Sequence, residues 1–182
     1  MSHFVIGVIS NDLNEIDKML EPYDENIAVE PYTNEDGEET TYNANSKWDW
    51  YEIGGRWNKM LLTKDGKKVN SAKIKDIDFK KMLEGKYEIA KRFWELYIEG
   101  QKPQNKEEEE MIKFEIYKKE YYIDTYKTKE KYAKINSEFS LWAIVDDNGW
   151  HERGKMGWFG IGNSTAESEE EFIDHMSIVL NL

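Results

Sequence analysis

The alternation of apolar and polar positions divides the chain into three parts. "HFVIGVIS" (3–10) is an apolar, β-branched run of the kind that forms a buried strand. In the next segment Leu13, Ile16, Met19 and Leu20 recur at helical spacing, with Asn11 placed to cap the helix and Pro22 to stop it. "IAVEPY" (27–32) predicts a second strand, and residues 33–46 a polar loop with an Asp36-Gly37 turn. Ser46 followed by Asp49 matches a capping box, which predicts a short helix over 47–53 ended by Gly54. "RWNKMLLT" and "KKVNSAKI" flank the turn "KDGK" and predict a hairpin.

The middle of the chain is helical in pattern. Residues 78–100 carry Phe79, Met82, Leu83, Ile89, Ala90, Phe93, Trp94, Tyr97 and Ile98, with Gly85 as a weak point. "QKPQN" breaks this segment. Residues 106–139 contain no glycine or proline and predict one long helix, acidic at its start (Glu107–Glu110) and lysine-rich at its end. Strand signals then return. Asn148-Gly149 marks a hairpin within 140–155, residues 156–165 are glycine-punctuated, and 166–182 predict a C-terminal helix with Ser168 as its cap. Strand, helix, strand, hairpin, helices, hairpin, helix is the order of an α+β protein. The expected architecture is a single domain over 1–182. It has an antiparallel sheet with a ferredoxin-like core packed by helices, and a helical insertion at 78–139 lying outside that core.

Charge changes the picture more than length does. The 182 residues carry a net charge of −12. Residues 11–40 hold eleven acids against Lys18, whereas 58–136 hold twenty bases and fifteen acids. So acidic a chain repels nucleic acid overall and suits a basic protein partner, while the central lysines leave duplex DNA open as a local contact. There is no cysteine, hence no thiol chemistry. The opening residues lack the basic n-region of a signal peptide, and no apolar run reaches the length of a membrane span. A cytoplasmic protein without membrane contact is expected.

Little in the chain points to catalysis. His3, His151 and His175 lie at no metal-ligand spacing, so neither a metal nor a cofactor is expected. His151 beside Glu152 is the nearest approach to an acid–base pair, and no nucleophile elbow or phosphate loop is present. Tryptophan is the unusual feature. Trp48, Trp50 and Trp57 form one cluster with Arg56, and Trp142, Trp150 and Trp158 a second with Arg153 and Lys155. Two readings stand side by side. The rings form core, with indole N–H groups bonded to backbone. Alternatively they form a recognition surface, for which Trp and Arg are enriched.

Two blocks carry a resemblance. "KWDWYEIGGRW" (47–57) and "WHERGKMGW" (150–158) resemble a family of small phage and mobile-element proteins with K-W-D-W-[YW]-x-I-G-G-R-W and W-H-x-x-G-[KR]-M-G-W blocks. The size, acidity and absence of cysteine are also similar to type II-A anti-CRISPR inhibitors of Cas9. The resemblance implies a non-enzymatic protein of the bacterial host cytoplasm that binds Cas9 or its guide-RNA complex and stops cleavage. The residues expected at the partner interface are Trp48, Asp49, Trp50, Arg56, Trp57, Trp150, His151, Lys155 and Trp158. The alternative is a phage-encoded binder of a small ligand or nucleotide signal, with Arg56, Lys155 and the tryptophans around one pocket.

Overall fold

The structure, a computed structural model, describes residues 3–113, 115, 117–156 and 162–182. In chain order its elements are β1 (Ile6–Val8), α1 (Ile16–Leu20), β2 (Tyr32–Thr33), β3 (Glu39–Thr40), β4 (Leu61–Leu62) and β5 (Lys68–Val69). The helices α2 (Phe79–Leu83), α3 (Lys86–Tyr97), α4 (Lys106–Lys113), α5 (Lys119–Tyr126) and α6 (Lys129–Asn136) follow. The chain closes with β6 (Ala143–Asp146), β7 (Gly149–Glu152), β8 (Lys155–Met156), β9 (Gly162–Asn163) and α7 (Ala166–Leu180).

The α+β class holds. Its centre is a three-stranded sheet of order β1-β6-β7, with β6 buried at every position. The expected Asn148-Gly149 hairpin joins β6 to β7 in antiparallel register, and Gly149 supplies the positive φ (114°) at the end of the turn. β1, however, pairs with β6 in parallel, so the sheet is mixed rather than the all-antiparallel sheet of a ferredoxin-like core. The second strand of such a core is also missing from it. From "IAVEPY" only Tyr32 is in a strand, and β2 pairs locally with β3 instead. The polar loop between them closes so short a hairpin that its backbone groups are satisfied without reaching the sheet.

Strand alternation gives this sheet two faces. Ile144 belongs to a cluster with Ala90, Phe93 and Trp94 of α3, Tyr122 and Tyr126 of α5, Tyr132, Ala133 and Ile135 of α6, and Phe172, Ile173 and Met176 of α7. Ala143 and Val145 are equally buried but face the other way, where α1 packs on β6 and Leu20 is 1% exposed. The segment expected to lie outside the core therefore supplies most of it. A three-stranded sheet offers too little apolar area to close a core alone, and the rings of α3, α5 and α6 provide the missing surface.

Three helical expectations change in detail. Residues 106–139 form three short helices. Lys127 takes φ 66°, and Thr128 caps α6 by accepting from the Lys131 N–H at 3.2 Å. The reversal lets Tyr126 and Tyr132 meet edge to face at 5.1 Å. The cap of α7 is Thr165, with Ser168 completing the box from the third helical position; the cap before α1 is Asp12, whose carboxylate accepts from the Asn14 N–H. The hairpin around "KDGK" forms as expected, as β4 and β5.

An ion-pair clamp fixes α4 to α3. Arg92 donates to both oxygens of Glu108 (2.9 and 2.8 Å) and to Gln101 Oε1 (2.6 Å). The guanidinium, helped by the Gln104 N–H, holds the Glu108 carboxyl down at about 2, from an ordinary value of 4.5. A folded-state value below the unfolded one gives stability that is complete above pH 4.5 and is lost as pH falls towards 2. Glu108→Gln is therefore expected to be less stable than wild type at neutral pH, with the difference shrinking through that window. Urea melts of both proteins across the acid range check it, and a pH-independent difference would contradict the assignment.

Candidate functional site

The two tryptophan blocks meet on the face of the sheet that carries α1. Residues 47–53 do not form the expected helix, because their backbone groups are bonded elsewhere. The Lys47 and Trp48 N–H groups donate to the Tyr23 carbonyl (2.7 and 3.3 Å), and Glu25 N–H donates to the Trp48 carbonyl at 2.9 Å. The Trp48 carbonyl, which a helix would need for the Glu52 N–H, is thereby taken, and Trp48 lies in an extended bridge with Asp24. Lys47 then reaches across to Glu152 on β7 (3.1 Å), which also accepts from the indole N–H of Trp150 at 2.9 Å. Trp150 packs on Tyr23 at 5.1 Å and edge-on to Phe4 at 6.4 Å.

The expected interface residues separate into three groups. Trp48 and Trp150 are half-buried structural rings; the Trp48 indole donates to the Leu20 carbonyl at 3.2 Å. Asp49 is likewise local, accepting from the Trp50 N–H at 3.0 Å while its carbonyl accepts from Asn26. Trp50 and Arg56 are exposed, Trp57 is half-buried and Lys155 on β8 is exposed. Trp158 lies outside the described residues. The first block is thus structural and surface at once: Trp48 joins Trp150 in closing the sheet face, while Trp50 is exposed.

Around the outward rings the surface is acidic. A groove of about 400 Å³ is lined by Asp17, Lys18, Glu21, Asp24, Ile27, Trp48 and Tyr51. Tyr51 stands edge-on to Trp48 at 5.3 Å and its hydroxyl donates to Asp17, a bond that, with some burial, pushes the phenol up to about 12. Exposed Tyr42, Trp50, Tyr51 and Ile53 belong to the same stretch of chain. A second groove, of about 460 Å³, is lined by residues of the β4–β5 hairpin and the turn that follows it. Neither groove is lined by Arg56 or Lys155, so these two cavities do not gather the cations expected of a nucleotide pocket.

His151 lies away from the outward rings, on the helix side of the sheet. It sits opposite Ile144 on β7, and its Nε2 is 3.4 Å from Asp146. His175 of α7 approaches the other oxygen of the same carboxylate at 3.0 Å, and the two imidazoles stack at 3.8 Å. Sequence reasoning finds His151 but misses Asp146 and His175. The available signals were a carboxylate ending an apolar strand, and a histidine inside the apolar stripe of Phe172, Met176 and Val179.

The lysines proposed as a DNA contact are largely engaged within the protein. Lys129 pairs with Glu95 and Glu99, Lys131 with Glu170, and Lys134 with Glu170 and Asp174. No family model, curated protein or solved structure matches the chain. Among the described residues, no helix is long and apolar enough to cross a membrane.

Proposed function

We propose that the protein acts by binding a basic protein partner through the acidic, aromatic face around residues 17–53, without catalysing a reaction. The partner we assign, following the resemblance of the two blocks, is Cas9 in complex with guide RNA. The observation that carries this reading is the groove in which Asp17, Glu21 and Asp24 surround Trp48 and Tyr51. Carboxylates beside an aromatic wall suit an arginine or lysine side chain, which gains both ion pairing and a cation–π contact. A Cas9-type effector offers many such groups along its nucleic-acid channel. The acidic face is favoured over the lysine helices because Lys129, Lys131 and Lys134 are already neutralised by internal carboxylates.

The test is association of the purified protein with Cas9–guide RNA, followed by light scattering or interferometry at low and high salt. A complex that weakens steeply with salt is expected. Trp50→Ala and Glu21→Lys should each weaken it at least tenfold. Glu21→Lys should leave the melting temperature nearly unchanged, since that side chain is exposed, and Trp50→Ala, whose ring is 52% exposed and edge-on to His3 at 6.1 Å, should leave the protein folded. Arg56, exposed and without a hydrogen-bond or ion-pair partner among the described residues, is a surface residue rather than a strut. Arg56→Ala should alter stability by less than about 0.5 kcal/mol. Absence of a complex at low salt, or one indifferent to Trp50 and Glu21, would refute the proposal.

A further inference from the structure

Beyond that surface, the geometry points to a second site: we propose that Asp146, His151 and His175 bind one divalent transition-metal ion. Three observations support it. The donor atoms all lie within 4.8 Å of one another, although they come from β6, β7 and α7. The separations of 3.4 Å (His151 Nε2 to Asp146 Oδ1) and 3.0 Å (His175 Nε2 to Asp146 Oδ2) lie near the roughly 3.4 Å expected between ligand atoms about 2.1 Å from a tetrahedral ion. Finally, His151 Nε2 is buried without a hydrogen-bond partner, an arrangement that costs free energy unless something occupies its lone pair.

The surroundings suit an ion. Asp146 is 9% exposed, and its Oδ1 accepts the Asn148 N–H at 2.7 Å, which fixes the carboxylate with Oδ1 towards His151 and Oδ2 towards His175. The imidazoles keep about a quarter to a third of their surface exposed (26% and 32%), so water can fill the remaining positions. Two imidazoles and one carboxylate are the donor set of zinc, cobalt, nickel or ferrous iron, and two nitrogen ligands disfavour magnesium and calcium. Imidazole binds a metal in the ring plane, so the stacked rings must splay apart on loading. The ion would thereby tie the C-terminal helix to the central hairpin.

Titration of untagged, chelator-treated protein with Zn²⁺ tests this without any variant. Long-range ¹H–¹⁵N spectra of the three histidine side chains should show two imidazoles shifting at Nε2 and one, His3, unmoved; His3→Gln assigns the last. One equivalent of Zn²⁺ should bind and raise the melting temperature, and Co²⁺ should give the visible absorption of a nitrogen-ligated ion. His175→Gln and His151→Gln should each lose at least tenfold in affinity. The proposal is overturned if Zn²⁺ leaves the His151 and His175 resonances in place, or if binding persists undiminished in both variants.

Discussion

Arg153→Met is expected to destabilise the protein by about 3–5 kcal/mol, the range for removing one partner from a buried charged network. The Arg153 side chain, 13% exposed, donates from Nε to the Leu141 carbonyl and from Nη2 to the Phe139 carbonyl, both at 2.6 Å. It also lies 3.7 Å from Glu169 and over the ring of Phe172 at 5.1 Å. Burial lowers its affinity for the proton, and the Glu169 and Glu138 carboxylates oppose that shift. Methionine keeps the stem's packing but leaves two inward-facing carbonyls without donors and Glu169 without its cation. At roughly 2–4 °C per kcal/mol for a domain of this size, the melting temperature should fall by about 6–20 °C. A fall of only 1–2 °C would mean that water replaces the guanidinium. The contrast with Arg56→Ala isolates position from chemistry, since the same residue type lies in each aromatic block.

Tyr132→Ala should cost a similar amount, about 3–5 kcal/mol. The ring is 8% exposed and lies 5.1–5.7 Å from Tyr126, Trp94, Phe93 and Tyr122. Truncation removes four aromatic contacts and leaves a cavity between α3, α5 and α6 that rigid neighbouring rings fill poorly. Because those rings share one cluster with Ile144, Phe172 and Met176, the loss should lower a single cooperative transition seen by both far-ultraviolet and near-ultraviolet circular dichroism. Two separated transitions, with only one displaced, would show instead that residues 78–139 melt independently. Tyr132→Phe, which keeps the ring, should cost far less.

The chain was easiest to read where the information is local. The hairpins at Asp65-Gly66 and Asn148-Gly149 are set by turn residues whose neighbours cannot easily adopt positive φ, and both form. The helical stripe Ala90, Phe93, Trp94 and Tyr97 likewise forms α3 and faces inward, Tyr97 at its margin. The failures share one cause. Ser46 and Asp49 match a local cap in sequence, but Trp48 bridges to Asp24 in extended form and gives its carbonyl to the Glu25 N–H. Residues 106–139 lack helix breakers, yet the chain turns back at Lys127 because aromatic burial outweighs the cost of one unfavourable φ. The interface residues divided because contacts with distant segments half-bury Trp48 and leave Trp50 exposed, and no composition rule tells which way is out.

Sequence alone determined the α+β class, the hairpins, the helical middle and the acidic N-terminal region, all of which depend on neighbours within a few residues. Only the tertiary structure decided that β1 lies parallel to β6, that the helical middle is core, and which tryptophans face solvent. It alone also brought His175 to Asp146 and His151. Those outcomes depend on pairings between segments far apart in the chain, chosen by the total surface buried and the hydrogen bonds satisfied, and no local pattern encodes that sum.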